Sequence, residues 1–270
     1  MAALERVSAA NGVAYWSSPR LAAAGFRHGF ATRVGGTSPA PFDSLNLGIA
    51  QAPGEPDTEA NVAENARRLM EAIGAPGSSM VRARQVHGCA VHECTRGDRF
   101  GTPSVDADAL FSAEACAAPC VRTADCVPVL VACPRTGAAC AIHAGWRGIV
   151  AGVVARAVDR MAAHAGVRRE ALVAAIGPSI GRDVYEVGPE VAAEFSAAAG
   201  SAFVLAAGDG RRKEHIDCHG AVRAQLVACG LPDGHVDGAL LCTVSLPQDF
   251  FSYRRDGARS GRMAAVIVPR

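Results

Sequence analysis

Asp, Cys, His and Arg fall at the turns of one apolar stretch, TADCVPVLVACPRTGAACAIHAGWRG, running from Thr123 to Gly148. Asp125 and Cys126 precede an apolar run, Val127 to Ala132. His143 sits near the end of a second run, Ala138 to Ala144, and Gly145-Trp146-Arg147-Gly148 leads into a helical pattern. Strand ends and tight turns are where a rigid scaffold presents reactive groups. A further histidine, His87, stands before a glycine in RQVHG. Two imidazoles and a thiolate suit Zn²⁺ with one position left open for a reactant. The expectation is that His87, Cys126 and His143 hold one catalytic metal. Their spacing is long, and no CxxC or HExxH supports it.

The same residues support other chemistry. Cys126 is a candidate thiolate nucleophile activated by His143, with Asp125 or another carboxylate orienting the base. Sequence does not separate a ligand thiolate from a nucleophilic one. The plainer reading is a buried cysteine and two hydrogen-bonded histidines. Arg147 stands where a helix begins, beside free N–H groups and positive potential, so phosphate or carboxylate binding is expected there. The plainer reading for Arg147 is an exposed surface group, and for Trp146 a packing anchor.

These residues need a scaffold. The pattern predicts strands near Val13–Trp16 and Phe26–Thr32, then a loop from Thr37 to Gly48. A helix capped by Asp57 or Thr58 runs to Ile73, with Val62, Leu69, Met70 and Ile73 at helical spacing and Gly74 as the stop. Strands follow at Met80–Val86, Ala90–Glu93 and Ala107–Phe111, and two more in the central stretch. One helix is expected from Gly148 to Ala165, its rows Val150, Val154, Val158 and Val153, Ala157, Met161 facing a sheet. Later come a strand at Leu172–Ile176, helices from Pro189 and over Asp217–Cys229, and strands at Gly238–Thr243 and Met263–Val268. The alternation is irregular, which predicts a mixed α/β layered domain spanning residues 1–270 rather than an even barrel. GxGxxG is absent, which disfavours a dinucleotide fold.

Composition narrows the partners. The 270 residues are 50% apolar and 20% charged, with net charge +1, so a sizeable core is expected and neither nucleic acid nor a membrane surface. Lys213 is the only lysine among 27 basic residues, so anion binding falls to Arg, to backbone N–H groups or to a metal. The N-terminus shows no signal peptide pattern and no run is long enough to span a bilayer. The expected location is the cytoplasm, with the ten cysteines as reduced thiols. The deaminase HxE/PCxxC signature and GxSxG are both absent. Eight histidines with no His-x-His pair are too few for a multi-copper cluster.

The chain also resembles a known family through motifs in one order: TRVGG at 32–36, SLNLG at 44–48, QVHG at 85–88, ADAL at 107–110 and TADCVPVL at 123–130. HAGWRG at 143–148, GPSIG and YEVG within 177–188, and FFSYRRDGARSGRMA at 250–264 complete the set. It is similar to the multi-copper polyphenol oxidoreductase (laccase-domain) family, whose members include purine nucleoside phosphorylases and the bacterial peptidoglycan editing factor. The resemblance implies a single α/β (α+β) domain, a layered α-β-β-α sandwich with mixed β-sheets. It implies zinc on His87, Cys126 and His143, with copper as an alternative metal. It implies phosphorolysis of adenosine, inosine and methylthioadenosine, and hydrolytic deamination of adenosine. A polyphenol oxidase activity and a role beside a cell-wall precursor ligase are attributed to the family, and a Cys126–His143 amidase remains an alternative. For the phosphorolytic reaction Arg147 is the expected phosphate ligand, helped by Arg33, Asn46 or Arg254, and Asp125 is the candidate acid for deamination. Two departures stand out: Ala66 follows Asn65 where a common form of the family has an arginine, and TVSLPQDFF lacks the usual acidic residues before the aromatic pair.

Overall fold

The computed structural model describes residues 3–48, 56–95, 97–98, 105–208 and 212–270. The strands, in chain order, are β1 (Glu5–Ser8), β2 (Ala14–Ser17), β3 (His28–Ala31), β4 (Ser79–Val81), β5 (Val91–Glu93), β6 (Ala109–Ser112) and β7 (Ala117–Thr123). There follow β8 (Val127–Ala132), β9 (Ala139–Ala144), β10 (Val173–Ile176), β11 (Val204–Leu205), β12 (His215–Ile216), β13 (Val236–Gly238) and β14 (Met263–Ile267). The helices are α1 (Pro19–Ala23), α2 (Glu59–Ala72), α3 (Trp146–Val150), α4 (Val153–Ala165), α5 (Pro189–Ala199), α6 (Cys218–Ala228) and α7 (Tyr253–Asp256).

Two six-stranded mixed sheets carry the fold, in the orders β1-β2-β3-β14-β7-β4 and β13-β10-β8-β9-β6-β5, with β11-β12 as a small ribbon. Side-chain alternation explains how they stack. On β8, Leu130 and Ala132 point to the same side as Ala139 and Ala141 of β9, and meet Phe30, Val121 and Ile267 of the first sheet. Val127, Val129 and Val131 point the other way, with Cys140 and Ile142, onto Val154, Val158 and Met161 of α4 and Val222 of α6. The outer face of the first sheet, with Ala118, Ala264 and Val266, packs against Val62-side residues Ala66, Leu69 and Met70 of α2. The layers are therefore helix, sheet, sheet, helix, as expected. β8 and β9 are buried along their whole length because both faces are covered, which is why they read as continuous apolar runs. Each fully buried Val, Leu or Ile there contributes roughly 1.5–3 kcal/mol.

Several elements differ from expectation. The expected helix from Gly148 to Ala165 is two helices. Gly152 between them has φ +80°, a left-handed conformation that ends α3 and starts α4 in a new direction. Strand β7 was not anticipated. It carries Pro119 but pairs through β4 on one side and β14 on the other. The strand expected at Gly238–Thr243 is only Val236–Gly238, with Cys242 reduced to a single bridge to Ser179. Thr58 rather than Asp57 caps α2, accepting from the Asn61 N–H. Ala66 is buried under the sheet. Arg67 instead faces solvent and pairs with Glu64 and Glu71. No helix among the described residues is long and apolar enough to cross a membrane.

Candidate metal centre

The alternation that builds the core also aims the ligands. On β9 the odd positions Ala139 and Ala141 face the gap between the sheets, and His143 continues that row. Pro128 of β8 is its partner across the ladder, and Cys126 lies two residues before Pro128. Asp108, just before β6, continues the inward row of Leu110. The end of the inter-sheet layer thus collects Asp108, Cys126 and His143.

His87 reaches the same place from a loop. It has φ +60° and is one of two non-glycine residues with positive φ among the described residues; the other is Asp125, at +94°. Such conformations cost about 1–3 kcal/mol each and persist only when the surroundings hold them. Asp108 holds the first. Its Oδ1 accepts the His87 N–H at 3.0 Å, and its Oδ2 accepts those of Gly88 at 2.7 Å and Val86 at 3.2 Å. Asp125 is held by its own carboxylate, which accepts from the Thr243 hydroxyl and the Arg254 N–H, both at 2.6 Å. Its carbonyl accepts from the Ile180 N–H. Asp125 therefore ties the Cys126 turn to α7 and to the 177–181 loop.

Ligand atoms of His87, Cys126 and His143 lie within 4.8 Å of one another. Nε2 of His87 is 3.9 Å from Sγ of Cys126, and the two imidazoles meet edge-on with centroids 4.9 Å apart. Zinc bonds of ~2.3 Å to sulfur and ~2.1 Å to nitrogen at a tetrahedral angle separate the two donors by about 3.6 Å. Nδ1 of His143 is 2.8 Å from Oδ1 of Asp108, which leaves Nε2 as the free donor, the usual arrangement of a metal-bound histidine. His87 is exposed, Cys126 half-buried and His143 buried, so the cluster opens to solvent on one side. Gly145 keeps it open. A Cβ there would stand 2.9 Å from Cδ2 of His87 and 3.2 Å from Sγ of Cys126. The donor set and the space that Gly145 leaves fit one metal ion.

Charge supports the same picture. Burial pushes the Cys126 thiol up, but His143 and His87 beside it outweigh burial and bring it down. Burial pushes His143 down, and Cys126 and Asp108 more than reverse this. Burial also raises Asp108, yet its bonds to His143, Gly88 and Val86 leave it below the usual carboxylate range. Thiolate, imidazole and carboxylate form a chain with the thiolate toward the open side and the carboxylate buried.

The other expected residues stand in different states. Arg147 is exposed, its guanidinium 4.5 Å over the ring of Trp146. Arg254 is exposed, stacked 5.0 Å over Tyr185 and bonded to the Glu186 carbonyl. Arg33 bonds the Asp43 and Pro247 carbonyls, pairs with the Asp43 carboxylate and lies over Phe251. Asn46 is fully buried; its amide bonds Gly48 and Asp57 and its oxygen accepts from Gly48 and Arg262. The donors of Arg33 and Asn46 are thus already engaged by protein. Asp108 was missed by sequence reasoning. The signal was present in ADAL, where a charged residue interrupts the start of an apolar strand. A separate cavity of roughly 700 Å³ at Asp159, Gly166, Glu170 and Cys229 contains none of these residues.

Residues 27–270 match the family described as multi-copper polyphenol oxidoreductase laccase. The chain is 40% identical over 245 residues to a purine nucleoside phosphorylase of Deinococcus radiodurans, covering 90% of this chain and 89% of that one. It is 42% identical over 242 residues to a purine nucleoside phosphorylase of Pseudomonas aeruginosa, covering 87% and 90%. Among solved structures, YlmD from Geobacillus stearothermophilus superposes with a TM-score of 0.85 at 32% identity, covering 98% of each chain. A Bacillus licheniformis hypothetical protein, YfiH, gives 0.85 at 28% identity, covering 98% of this chain and 99% of that one.

Proposed function

The chain belongs to the multi-copper polyphenol oxidoreductase laccase family, and on that premise we propose that it is a zinc-dependent purine nucleoside phosphorylase working at the His87–Cys126–His143 centre. The observation that carries this reading is the convergence of three donor atoms within 4.8 Å beside a glycine that leaves the fourth side open. Closed structural zinc sites use four protein ligands, whereas catalytic ones use three. Relatives at 40% and 42% identity are named purine nucleoside phosphorylases, which supplies the substrate class.

In the reaction, an oxygen of phosphate forms a bond to C1′ of the ribose as the glycosidic bond breaks. The base departs on its ring nitrogen and takes up a proton, giving free base and ribose 1-phosphate. A zinc ion bound at the centre supplies Lewis-acid activation of an oxygen group. The chain's own residues do the rest. Asp108 holds the His143 imidazole with its proton on Nδ1, and fixes the backbone around His87. Asp125, with both carboxylate oxygens bonded, positions α7 rather than exchanging protons. Arg147 and Arg254, both exposed, are available to the polar groups of a nucleoside. Hydrolytic deamination of adenosine to inosine and ammonia, and phosphorolysis of methylthioadenosine, are further activities assigned to the same centre. Its place of action is the cytoplasm. A panel of nucleosides with and without phosphate, read for free base, inosine and ribose phosphate, tests the reading. No phosphate-dependent base release from any purine nucleoside overturns it.

One observation favours a second reading. Cys126, His143 and Asp108 stand in the order thiol, imidazole, carboxylate, as in a cysteine hydrolase. Activity on amide substrates in zinc-free protein, lost when Cys126 is alkylated, would select this reading over the first.

A further inference from the structure

The first sheet carries a charged feature that the metal centre does not use. Strands β4, β7 and β14 adjoin in that sheet, β7 in the middle. Their outward positions Met80, Ala118, Cys120, Ala264 and Val266 pack beneath α2. The same alternation places Arg82, Arg122 and Arg262 on this outer face. Ala264 is the ladder partner of Arg122 and Met263 that of Thr123, so Arg262 lies one step beyond Arg122. This is the end at which β7 turns into Asp125 and Cys126.

Arg122 is short of compensation. Its electrostatic neighbours among the described residues are Arg82, Cys120 and Arg262, with no carboxylate. Burial, and after it Arg82, lowers its pKa to about 10. Its Nε is buried and has no hydrogen-bond partner. Arg262 gives one guanidinium nitrogen to the carbonyls of Ser260 and Gly261. Its electrostatic partners are Cys126, Tyr253 and Asp125, and the Asp125 carboxylate is already held by Thr243 and Arg254. The SLNLG loop closes over the pair. A Cβ on Gly48 would stand 2.7 Å from Cγ of Arg262 and 3.6 Å from a guanidinium nitrogen of Arg122.

Clustered, half-buried guanidinium groups repel one another and forfeit hydration, a cost that an anion removes. Planar guanidinium forks match the oxygens of phosphate, two parallel bonds to each fork. We propose that Arg122 and Arg262 form the binding site for inorganic phosphate, adjacent to Cys126 on the flank of the metal centre. Its role as the co-substrate site rests on the phosphorylase reading; the anion site itself does not. Arg147, exposed and stacked on Trp146, has none of this burial or crowding.

The test is phosphate binding by the full chain, measured by calorimetry and by the phosphate-dependent rise in Tm, with no nucleoside present. Arg122→Lys and Arg262→Lys keep the charge and remove the fork, so affinity should fall about tenfold or more, while Arg168→Ala, at an exposed arginine paired with Glu170, leaves it unchanged. Arg122→Met adds a readout that a structural arginine would not give. Without phosphate its Tm should match or exceed wild type, because an uncompensated charge is gone, and phosphate should no longer raise it. Wild-type protein that binds no phosphate, or lysine variants that bind it as tightly as wild type, would overturn the assignment. An unstable Arg122→Met chain in phosphate-free buffer would overturn it too. Phosphate bound through these arginines in a protein that cleaves no nucleoside would leave the site standing and reject the phosphorylase reading instead.

Discussion

Asp108 links the two histidines of the centre. Its Oδ1 lies 2.8 Å from Nδ1 of His143 and 3.0 Å from the backbone nitrogen of His87. One carboxylate therefore orients an imidazole on a strand and shapes the loop that brings in the other. Replacing it should be felt as lost metal affinity. Partners of this kind are worth about 10–100-fold in affinity. Asp108→Asn is expected to weaken zinc binding by at least that range in a chelator-competition titration, because its amide cannot accept from His143 and three backbone donors together. Unchanged affinity would remove Asp108 from the centre.

Gly145 has a different role. Its missing side chain is the space beside His87 and Cys126. Gly145→Ala puts a carbon at 2.9 Å from the His87 ring, closer than van der Waals contact permits. The variant should fold, since the clash is with an exposed imidazole that can swing out, and should purify with far less metal than wild type. Metal analysis beside circular dichroism checks both halves. Full occupancy in a folded variant would show that the ligands meet elsewhere.

The break between α3 and α4 turns the chain at Gly152. Gly152 has φ +80° with open space where a side chain would go, so the cost of Gly152→Ala is purely conformational. It should be about 1–2 kcal/mol, read by urea denaturation. A cost near zero would mean that the left-handed turn is absent in solution.

His28 gives the fold a pH dependence. It is buried, its Nε2 accepts the Ser18 N–H at 2.8 Å and its Nδ1 donates to the Phe26 carbonyl at 2.9 Å. Burial pushes its pKa below the ordinary value, against smaller contributions from Phe26 and Asp237. The unfolded chain therefore takes up a proton near pH ~6.5 that the folded chain refuses. The contribution is fully present above that pH and is lost as pH falls below it, at up to about 1.4 kcal/mol per pH unit. Denaturation at pH 7.5 and 5.5 should show wild type losing more stability than His28→Gln. Equal losses would place the sensitivity elsewhere.

Much of the fold could be read from the sequence because β8 and β9 are continuous apolar runs and α2 and α4 carry apolar residues at helical spacing. The candidate ligands His87, Cys126 and His143 stood out because each borders a turn. What escaped was set by tertiary contact. Strand β7 has a proline and no alternation, and is a strand because β4 and β14 flank it. Asp108 looked like a loop residue, and its four hydrogen bonds come from segments distant in sequence. Arg33 and Asn46 read as available donors, yet Asp43, Pro247, Gly48 and Asp57 occupy them, and no local pattern announces a partner. The pairing of Arg122 with Arg262 needed the β7–β14 register, which no single-strand pattern contains.

Metal occupancy set against turnover reaches the central claim most directly. Zinc titrated into metal-free protein, with phosphate-dependent release of ribose 1-phosphate from inosine followed at each step, should give activity that rises with occupancy and saturates at one ion per chain. His87→Ala, Cys126→Ala and His143→Ala should each lose both the ion and the activity. Full phosphorolysis by metal-free wild type, or by a folded Cys126→Ala variant, would contradict a metal-dependent centre built from these three side chains.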